Sequence, residues 1–124
     1  MNHLWYKDAV FYEAYIRAFF DSNGDGHGDL PGLASKLDYL QDLGVDCLWL
    51  LPIAESPLVD DGYDVSDYYR ILKEYGTIED FRHLVQAAHA RGIRIIADWV
   101  LNHTSDQHPW FVESRASKES PKRD

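Results

Sequence analysis

The sequence predicts an α/β domain built on a parallel sheet. Short runs of β-branched and aromatic residues alternate with two longer segments whose apolar residues recur at helical spacing. The resulting order is strand, helix, strand, helix, strand, and parallel strands need crossover helices of this kind. At 124 residues the chain has the length of one domain with a modest core.

Five regular elements are predicted: strands over residues 10–16, 47–51 and 93–99, and helices over residues 31–43 and 78–91. Pro31 suits the first turn of the earlier helix, because a backbone N–H would have no partner there. Gly44 is placed to end that helix. Thr77 can cap the later helix, and Gly92 follows its last turn.

The segments between these elements have the composition of loops. Residues 52–67 contain two prolines, a glycine and five acids, which predicts an irregular loop. Residues 113–124 form a polar and charged tail. Cys47 begins an apolar run and has no second cysteine to pair with, so it is predicted to be a buried core residue.

Composition excludes several classes of partner. The charged side chains sum to −9, whereas a nucleic-acid-binding face needs clustered lysine and arginine. Hydrophobic residues make up 45% of the chain, but no run approaches the roughly 18 apolar residues of a membrane span. The start of the chain lacks the basic and apolar pattern of a secretory signal. We therefore expect a cytoplasmic protein without membrane or nucleic-acid partners.

Polar residues concentrate at one predicted edge of the sheet. Parallel strands all end at the same edge, so residues 21–29, 51–67 and 100–110 are expected to meet there. Asp98 and His103 stand at the exit of the last strand. Such groups are costly to desolvate unless they are paired or bind a ligand. Parallel α/β folds place their ligands at this edge.

The loop at residues 21–29 has the composition of a calcium site. Its glycines would let the backbone curl around an ion. The candidate ligands are Asp21, Asn23, Asp25, Asp29 and the main-chain carbonyl of His27. The loop differs from an EF-hand because Gly32 stands where the bidentate glutamate belongs. A structural Ca²⁺ or Mg²⁺ site is favoured over the alternative, a glycine-rich turn with solvated acids.

Acids stand beside aromatic rings in residues 60–68. Such a segment could bind a sugar, because carboxylates accept from hydroxyls and a ring stacks on the apolar face of a pyranose. From composition alone, surface acids in a turn, with Tyr63 covering the loop, are favoured over this interpretation. Asp98 could be a nucleophile, a salt-bridge partner or an acceptor that holds the loop. His103 could donate to a ligand hydroxyl or fasten its own loop.

Five segments, taken together, carry a family resemblance. They are Y-K-D-A-V-F-Y-E from Tyr6, D-S-N-G-D-G-H-G-D-L from Asp21, L-G-V-D-C-L-W-L from Leu43, D-D-G-Y-D-V-S-D-Y from Asp60 and D-W-V-L-N-H-T-S-D-Q-H-P-W-F from Asp98. In this order they resemble the amino-terminal part of the α-amylase family, glycoside hydrolase family 13. Within that family the chain is most similar to the branch of trehalose synthases, oligo-1,6-glucosidases and α-glucosidases.

The resemblance implies the amino-terminal portion of a (β/α)8 TIM barrel, with about three β/α units. Residues 1–112 would be the partial barrel, and residues 113–124 the start of the loop or subdomain after the third strand. The implied roles are substrate contacts at Asp60, Tyr63 and His103, site support by Asp98 and Asn102, and ion binding by the calcium-type loop. Asp98 would act through an arginine near the nucleophile, and Asn102 would hold its loop.

The resemblance also implies retaining chemistry on α-glucosides, with a carboxylate nucleophile and a glutamate acid/base. These groups follow later strands of the barrel, so no catalytic residue is expected within the 124 residues, and the chain alone is expected to be inactive. The first expectation is trehalose synthase, which converts maltose to trehalose by intramolecular glucosyl transfer. The alternative is an α-glucosidase, oligo-1,6-glucosidase or α-amylase-type hydrolase.

An alternative of another class is a non-catalytic calcium- or sugar-binding module, since the catalytic acids are not expected in this chain. A three-stranded sheet of this kind also has two unpaired edges and uncovered apolar faces. Self-association through those edges is therefore expected.

Overall fold

The computed structural model describes residues 4–123 and is organised around a parallel sheet. In chain order the elements are β1 (Phe11–Ala14), α1 (Leu30–Ser35), α2 (Leu37–Asp42), β2 (Cys47–Leu50), β3 (Ala54–Glu55), β4 (Asp67–Ile71), α3 (Ile78–Ala90), β5 (Arg94–Ala97) and α4 (Pro109–Ala116). The parallel sheet has the order β1-β2-β5, with β2 in the centre. The α/β class and the three predicted strands are confirmed.

One face of this sheet carries the core. Leu48 and Leu50 of β2 are fully buried, as are Leu33, Leu37 and Leu40 of the first two helices. Leu84 and Ala88 of α3 belong to the same cluster. Cys47 is also fully buried, which confirms its prediction as a core residue.

The other face of the sheet is only partly covered. Phe11, Trp49 and Ile96, one from each strand, remain 41%, 37% and 40% exposed. Near Phe11 the Trp5 ring stacks with a centroid separation of 5.8 Å, and the Arg94 guanidinium lies 4.3 Å from the Trp5 ring centroid. The amino-terminal segment therefore covers one end of this face and leaves the rest open.

The helix predicted over residues 31–43 is in fact two helices that meet at Lys36. The Ser35 hydroxyl donates to the Gly32 carbonyl at 2.7 Å. That carbonyl would accept from the Lys36 N–H in a continuous α-helix. The Lys36 N–H instead donates to the Leu33 carbonyl at 3.1 Å, which tightens the turn and ends α1. Gly44 follows α2 with a φ of 86°, as its predicted role at the helix end requires.

Helix α3 confirms the capping prediction at Thr77. The Thr77 side chain accepts from the Asp80 N–H, and the Asp80 carboxylate accepts from the Thr77 N–H, which completes a capping box. The helix runs to Ala90, close to the predicted end.

The irregular loop predicted over residues 52–67 is wrong in part, because β3 lies within it and pairs antiparallel with β4. The pairing continues beyond the strands, where Ser66 donates its N–H to the Glu55 carbonyl at 2.8 Å and Leu72 donates to the Ile53 carbonyl at 2.9 Å. Tyrosine and isoleucine in β4 favour extended structure. The prolines and acids of residues 52–67 are typical of a loop, so the strand preference of β4 was not recognised.

Helix α4 was not predicted, and its last residues, up to Ala116, lie in the polar segment that begins at residue 113. His108 accepts from the Trp110 N–H at 3.1 Å, and Pro109 occupies the first turn, so the start of this helix is capped. The helix spans the division placed at residues 112 and 113, which stays a prediction. Among residues 4–123 no helix is both long enough and apolar enough to cross a bilayer.

Candidate functional site

The three strands point the same way, so the segments that follow β1, β2 and β5 leave the sheet at one edge. In the segment after β2, Asp64 fixes the loop that carries Asp60 and Tyr63. Its carboxylate accepts from the Ser56 hydroxyl at 2.7 Å and from the N–H groups of Val59 and Asp60 at 2.9 and 3.2 Å. Burial raises the pKa of Asp64, but these hydrogen bonds outweigh burial and leave its pKa below the ordinary value.

The same loop makes a tight turn immediately before Tyr63. Asp61 and Gly62 both have positive φ, 49° and 99°. A Cβ at position 62 would lie 3.2 Å from the Pro52 Cβ, a tight contact, so the positive φ and the neighbouring proline both favour glycine here. The Tyr15 hydroxyl donates to Asp61 at 3.3 Å, which ties the turn to the segment after β1.

Tyr63 and Asp98 join the loop after β2 to the end of β5. The Tyr63 hydroxyl donates to the Asp98 carboxylate at 2.7 Å, and Asp98 is itself held by its N–H, which donates to the Leu50 carbonyl at 2.8 Å. This hydrogen bond, followed by burial and by the charges of Asp98, Glu13 and Asp60, raises the pKa of Tyr63 to about 12. Tyr63 is therefore a neutral donor whose ring is fixed at its outer end.

Asp98→Asn is expected to lower the pKa of Tyr63 from about 12 towards its ordinary value of 10.0, because the carboxylate that holds the phenol neutral is removed. In the native protein the corresponding stabilisation is complete below about pH 10 and is lost as pH rises through about 12. Absorbance titration of tyrosinate, with Tyr63→Phe to identify the signal, measures the shift. Glu13→Gln, which removes a neighbouring charge without the hydrogen bond, is the matched control and should give a smaller shift. An unchanged Tyr63 titration in Asp98→Asn would contradict the assignment.

His103 lies in a loop that is fastened to β4. The Tyr68 hydroxyl, with one hydrogen to share, lies 2.6 Å from the Val100 carbonyl and 3.2 Å from the His103 carbonyl. Farther along, the Ser105 N–H donates to the Val65 carbonyl at 2.8 Å. The backbone of His103 is thus positioned by β4, which forms a hairpin with β3, and the loop of this hairpin carries Tyr63.

Asn102 contacts the ring of His103 directly. The Asn102 amide nitrogen lies 2.9 Å from His103 Nδ1, and both side chains are exposed. The structure therefore brings Tyr63 to Asp98 and Asn102 to His103. Asp60 neighbours Tyr63 closely enough for its charge to raise the pKa of the phenol.

The calcium-type loop is shaped by its own side chains. Asp21 accepts from the N–H groups of Asn23, Gly24 and Gly26 at 3.1, 2.7 and 2.8 Å. The Gly26 bond, followed by the Gly24 bond, lowers the pKa of Asp21 below its ordinary value. Asn23 accepts from the Asp25 N–H at 2.9 Å, which continues the curl of the backbone. No hydrogen bond within residues 4–123 joins this loop to Tyr63 or His103.

The donor chemistry of this loop fits a hard cation, because carboxylate, amide and carbonyl oxygens are the ligands that Ca²⁺ prefers. Asp29 is 3% exposed and is already engaged. One of its oxygens accepts twice from Ser22, at 3.1 and 2.8 Å, and the other accepts from the Gly32 N–H at 2.6 Å and caps α1. Across residues 4–123 no three histidine, cysteine or acidic side chains are gathered at coordinating positions.

Asp64 and Tyr68 are the residues to which the sequence assigned no role. Asp64 is recognisable in principle, because an aspartate in a turn commonly accepts from nearby backbone N–H groups. Tyr68 gives no local signal, since its two acceptors lie 32 and 35 residues away in the chain.

A family model described as the alpha-amylase catalytic domain matches residues 13–124. The chain belongs to the alpha-amylase family. Trehalose synthase/amylase TreS of Mycolicibacterium smegmatis is 62% identical over 117 residues, which are 94% of this chain and 20% of that protein. Oligo-1,6-glucosidase of Parageobacillus thermoglucosidasius is 54% identical over 124 residues, which are 100% of this chain and 22% of that protein.

Solved structures of the alpha-amylase family share the fold of the chain. A mutant of MutB in complex with the substrate sucrose superimposes with a TM-score of 0.96 at 54% identity, over 100% of this chain and 22% of that one. Isomaltulose synthase SmuA from Protaminobacter rubrum gives 0.95 at 53% identity, over 96% and 21%. The chain thus spans about a fifth of the length of these proteins. Its sheet and helices are the amino-terminal part of the family's TIM barrel.

Proposed function

We propose that this chain forms part of the sugar-binding subsite of an enzyme that acts on α-glucosides. The observation that carries the proposal is the hydrogen bond between Tyr63 and Asp98 at the edge where the segments after parallel strands meet. The bond fixes an aromatic ring next to the acid Asp60, a combination that suits a pyranose with one apolar face and several hydroxyls.

Each side chain of the subsite has a distinct role in this proposal. Tyr63 stacks on the glucosyl ring, Asp60 accepts from its hydroxyls and His103 donates to it. Asp98 positions Tyr63 and, as the family resemblance implies, pairs with an arginine near the nucleophile. Asn102 holds the His103 loop. The nucleophile and the acid/base belong to later strands of the barrel, so the 124 residues alone are expected to give no turnover of maltose.

The reaction we favour is rearrangement of maltose to trehalose through a glucosyl-enzyme. Trehalose synthase/amylase TreS of Mycolicibacterium smegmatis is 62% identical and trehalose synthase of Thermus thermophilus is 58% identical, which supports it. Hydrolysis of α-glucosides is the second candidate, supported by 58% identity to oligo-1,6-glucosidase of Heyndrickxia coagulans. The two differ in how well water is kept from the glucosyl intermediate.

Incubating the natural gene product with maltose, and separately with isomaltose to include the α-1,6 bond, and separating the products distinguishes these reactions. Trehalose as the main product supports the isomerase, whereas glucose alone supports the hydrolase. If neither sugar forms, calorimetry of the 124-residue chain with maltose tests a non-catalytic sugar-binding module. Maltose binding that is lost in Asp60→Ala would favour that module over both enzymes.

We also propose that the calcium-type loop holds a structural Ca²⁺ through Asp21, Asn23, Asp25, Asp29 and the His27 carbonyl, with Mg²⁺ as the alternative ion. Adding Ca²⁺ at about 100 times its dissociation constant is expected to raise the free energy of unfolding by about 2.7 kcal/mol. Thermal unfolding with and without Ca²⁺ measures this effect. Asp21→Ala should abolish it, and Asp106→Asn, an exposed acid outside the loop, should retain it. Equal stabilisation of both variants would contradict the site.

Self-association of the chain is proposed from its uncovered surfaces. β1 and β5 are the outer strands of the parallel sheet, and Trp99 and Leu101 beyond β5 are 65% and 82% exposed. A cavity of about 270 Å³, with walls that include Ile53, Ile71 and Phe81, opens beside the same strand. Apolar patches of this kind associate in water. Sedimentation of the 124-residue chain tests the proposal, and a monomer with cooperative unfolding would contradict it.

A further inference from the structure

We propose that Asn102 is a positioning residue that sets the tautomer of His103 and so makes Nε2 a hydrogen-bond donor. The Asn102 amide nitrogen lies 2.9 Å from His103 Nδ1. An amide nitrogen carries only donor hydrogens, so Nδ1 must accept. A neutral imidazole has one N–H, which then resides on Nε2. Asn102 therefore determines which edge of the ring can donate.

The backbone contacts of this loop explain how the arrangement can persist on an exposed surface. Tyr68 contacts the carbonyls of Val100 and His103, so the main chain that carries the ring is tied to β4. Because Asn102 is adjacent in sequence to His103, one anchored segment positions both side chains.

Within residues 4–123 no hydrogen bond involves His103 Nε2, so its N–H is available to an acceptor on a ligand. That acceptor would be a hydroxyl oxygen of a glucosyl unit, and this part of the inference rests on the proposed function. The tautomer itself does not, because it follows from the contact with Asn102 in the protein without ligand.

Asn102→Asp is the most informative substitution, since it keeps the shape of the side chain and replaces a donor with acceptors only. In a neutral ring, an aspartate beside Nδ1 requires the hydrogen to be there, which leaves Nε2 as an acceptor. The matched control is Gln107→Glu, which introduces the same change of charge in the same loop at an exposed position. His108 serves as an internal reference, because its Nδ1 accepts from the Trp110 backbone N–H at 3.1 Å.

The test is ¹⁵N NMR of the natural gene product labelled at histidine, recorded well above the ordinary imidazole pKa of about 6.5. His103→Gln identifies the signals. In the native protein we expect Nε2 of His103 to carry the hydrogen with a preference on the order of tenfold, the factor that one ordinary hydrogen bond provides. Asn102→Asp should move the hydrogen to Nδ1, while Gln107→Glu should leave it on Nε2. A native His103 protonated at Nδ1, or an unchanged spectrum in Asn102→Asp, would overturn the inference.

Kinetics with maltose then separate this inference from the proposed function. Asn102→Asp is expected to lower kcat/KM by about tenfold through loss of the donor, whereas Gln107→Glu should retain the native value. If the hydrogen moves as expected but neither Asn102→Asp nor His103→Gln changes kcat/KM, the tautomer assignment stands and the sugar-contacting role of His103 fails.

Discussion

Tyr63→Ala is expected to weaken maltose binding by the natural gene product by about one to two powers of ten. The substitution removes a ring whose burial against the sugar contributes about 1.5–3 kcal/mol. This contribution gives the stated range at about 1.4 kcal/mol per tenfold. The hydrogen bond from Tyr63 to Asp98 at 2.7 Å is also present in the protein without sugar, so its loss lowers the stability of the loop and is not counted in the affinity. Isothermal titration calorimetry measures the dissociation constant.

Two further variants divide that loss between its causes. Tyr63→Phe retains the ring and removes only the hydroxyl, whose bond to Asp98 the protein also makes without sugar, so it should weaken binding by less than about tenfold. Tyr69→Ala removes a tyrosine from the same region that is 95% exposed, and it should bind maltose as the native protein does. Equal affinities for Tyr63→Ala and Tyr69→Ala would contradict the proposed subsite.

Leu48→Ala is expected to lower the free energy of unfolding of the 124-residue chain by about 2–5 kcal/mol. Leu48 is fully buried in the central strand, in register with Tyr12 of β1 and Ile95 of β5. Truncation leaves a cavity between two neighbours that the sheet holds in place. Urea denaturation measures the change.

Leu43→Ala is the matched control for that measurement, because it makes the same chemical change at a side chain that is 55% exposed. Its effect should stay within about 0.5 kcal/mol, as for most surface substitutions. Similar losses for both leucines would show that the chain does not retain the core described above.

Local signals in the sequence predicted much of the fold. The start of α3 could be predicted from Thr77 and Asp80, because a helix cap is formed by residues only three positions apart in the sequence. The break at Lys36 depends instead on whether the Ser35 hydroxyl turns back to the Gly32 carbonyl, a choice of side-chain rotamer that the leucine spacing does not reveal. The pairing of β3 with β4 was missed because it joins segments whose prolines and acids indicate a loop.

The candidate site was likewise predicted only in part. The parallel order of the strands predicted that the segments carrying Tyr63 and His103 share an edge, and the hydrogen bond from Tyr63 to Asp98 confirms that the two segments meet. The identity of that partner was not predictable, since the resemblance assigned Asp98 to an arginine. The role of Tyr68 could not be predicted, because its contacts form only when the β3–β4 hairpin and the loop after β5 fold against each other.

The shared hydroxyl of Tyr68 has a consequence for motion at the site. A single phenol touches two carbonyls of the segment after β5 while its own strand leads back to the turn that bears Tyr63. Displacing the main chain at His103 by itself would break its contact with Tyr68, whereas a joint displacement of the β3–β4 pair and the segment would preserve both contacts. Motions of the proposed subsite should therefore carry the Tyr63 loop and the His103 backbone together, as one unit.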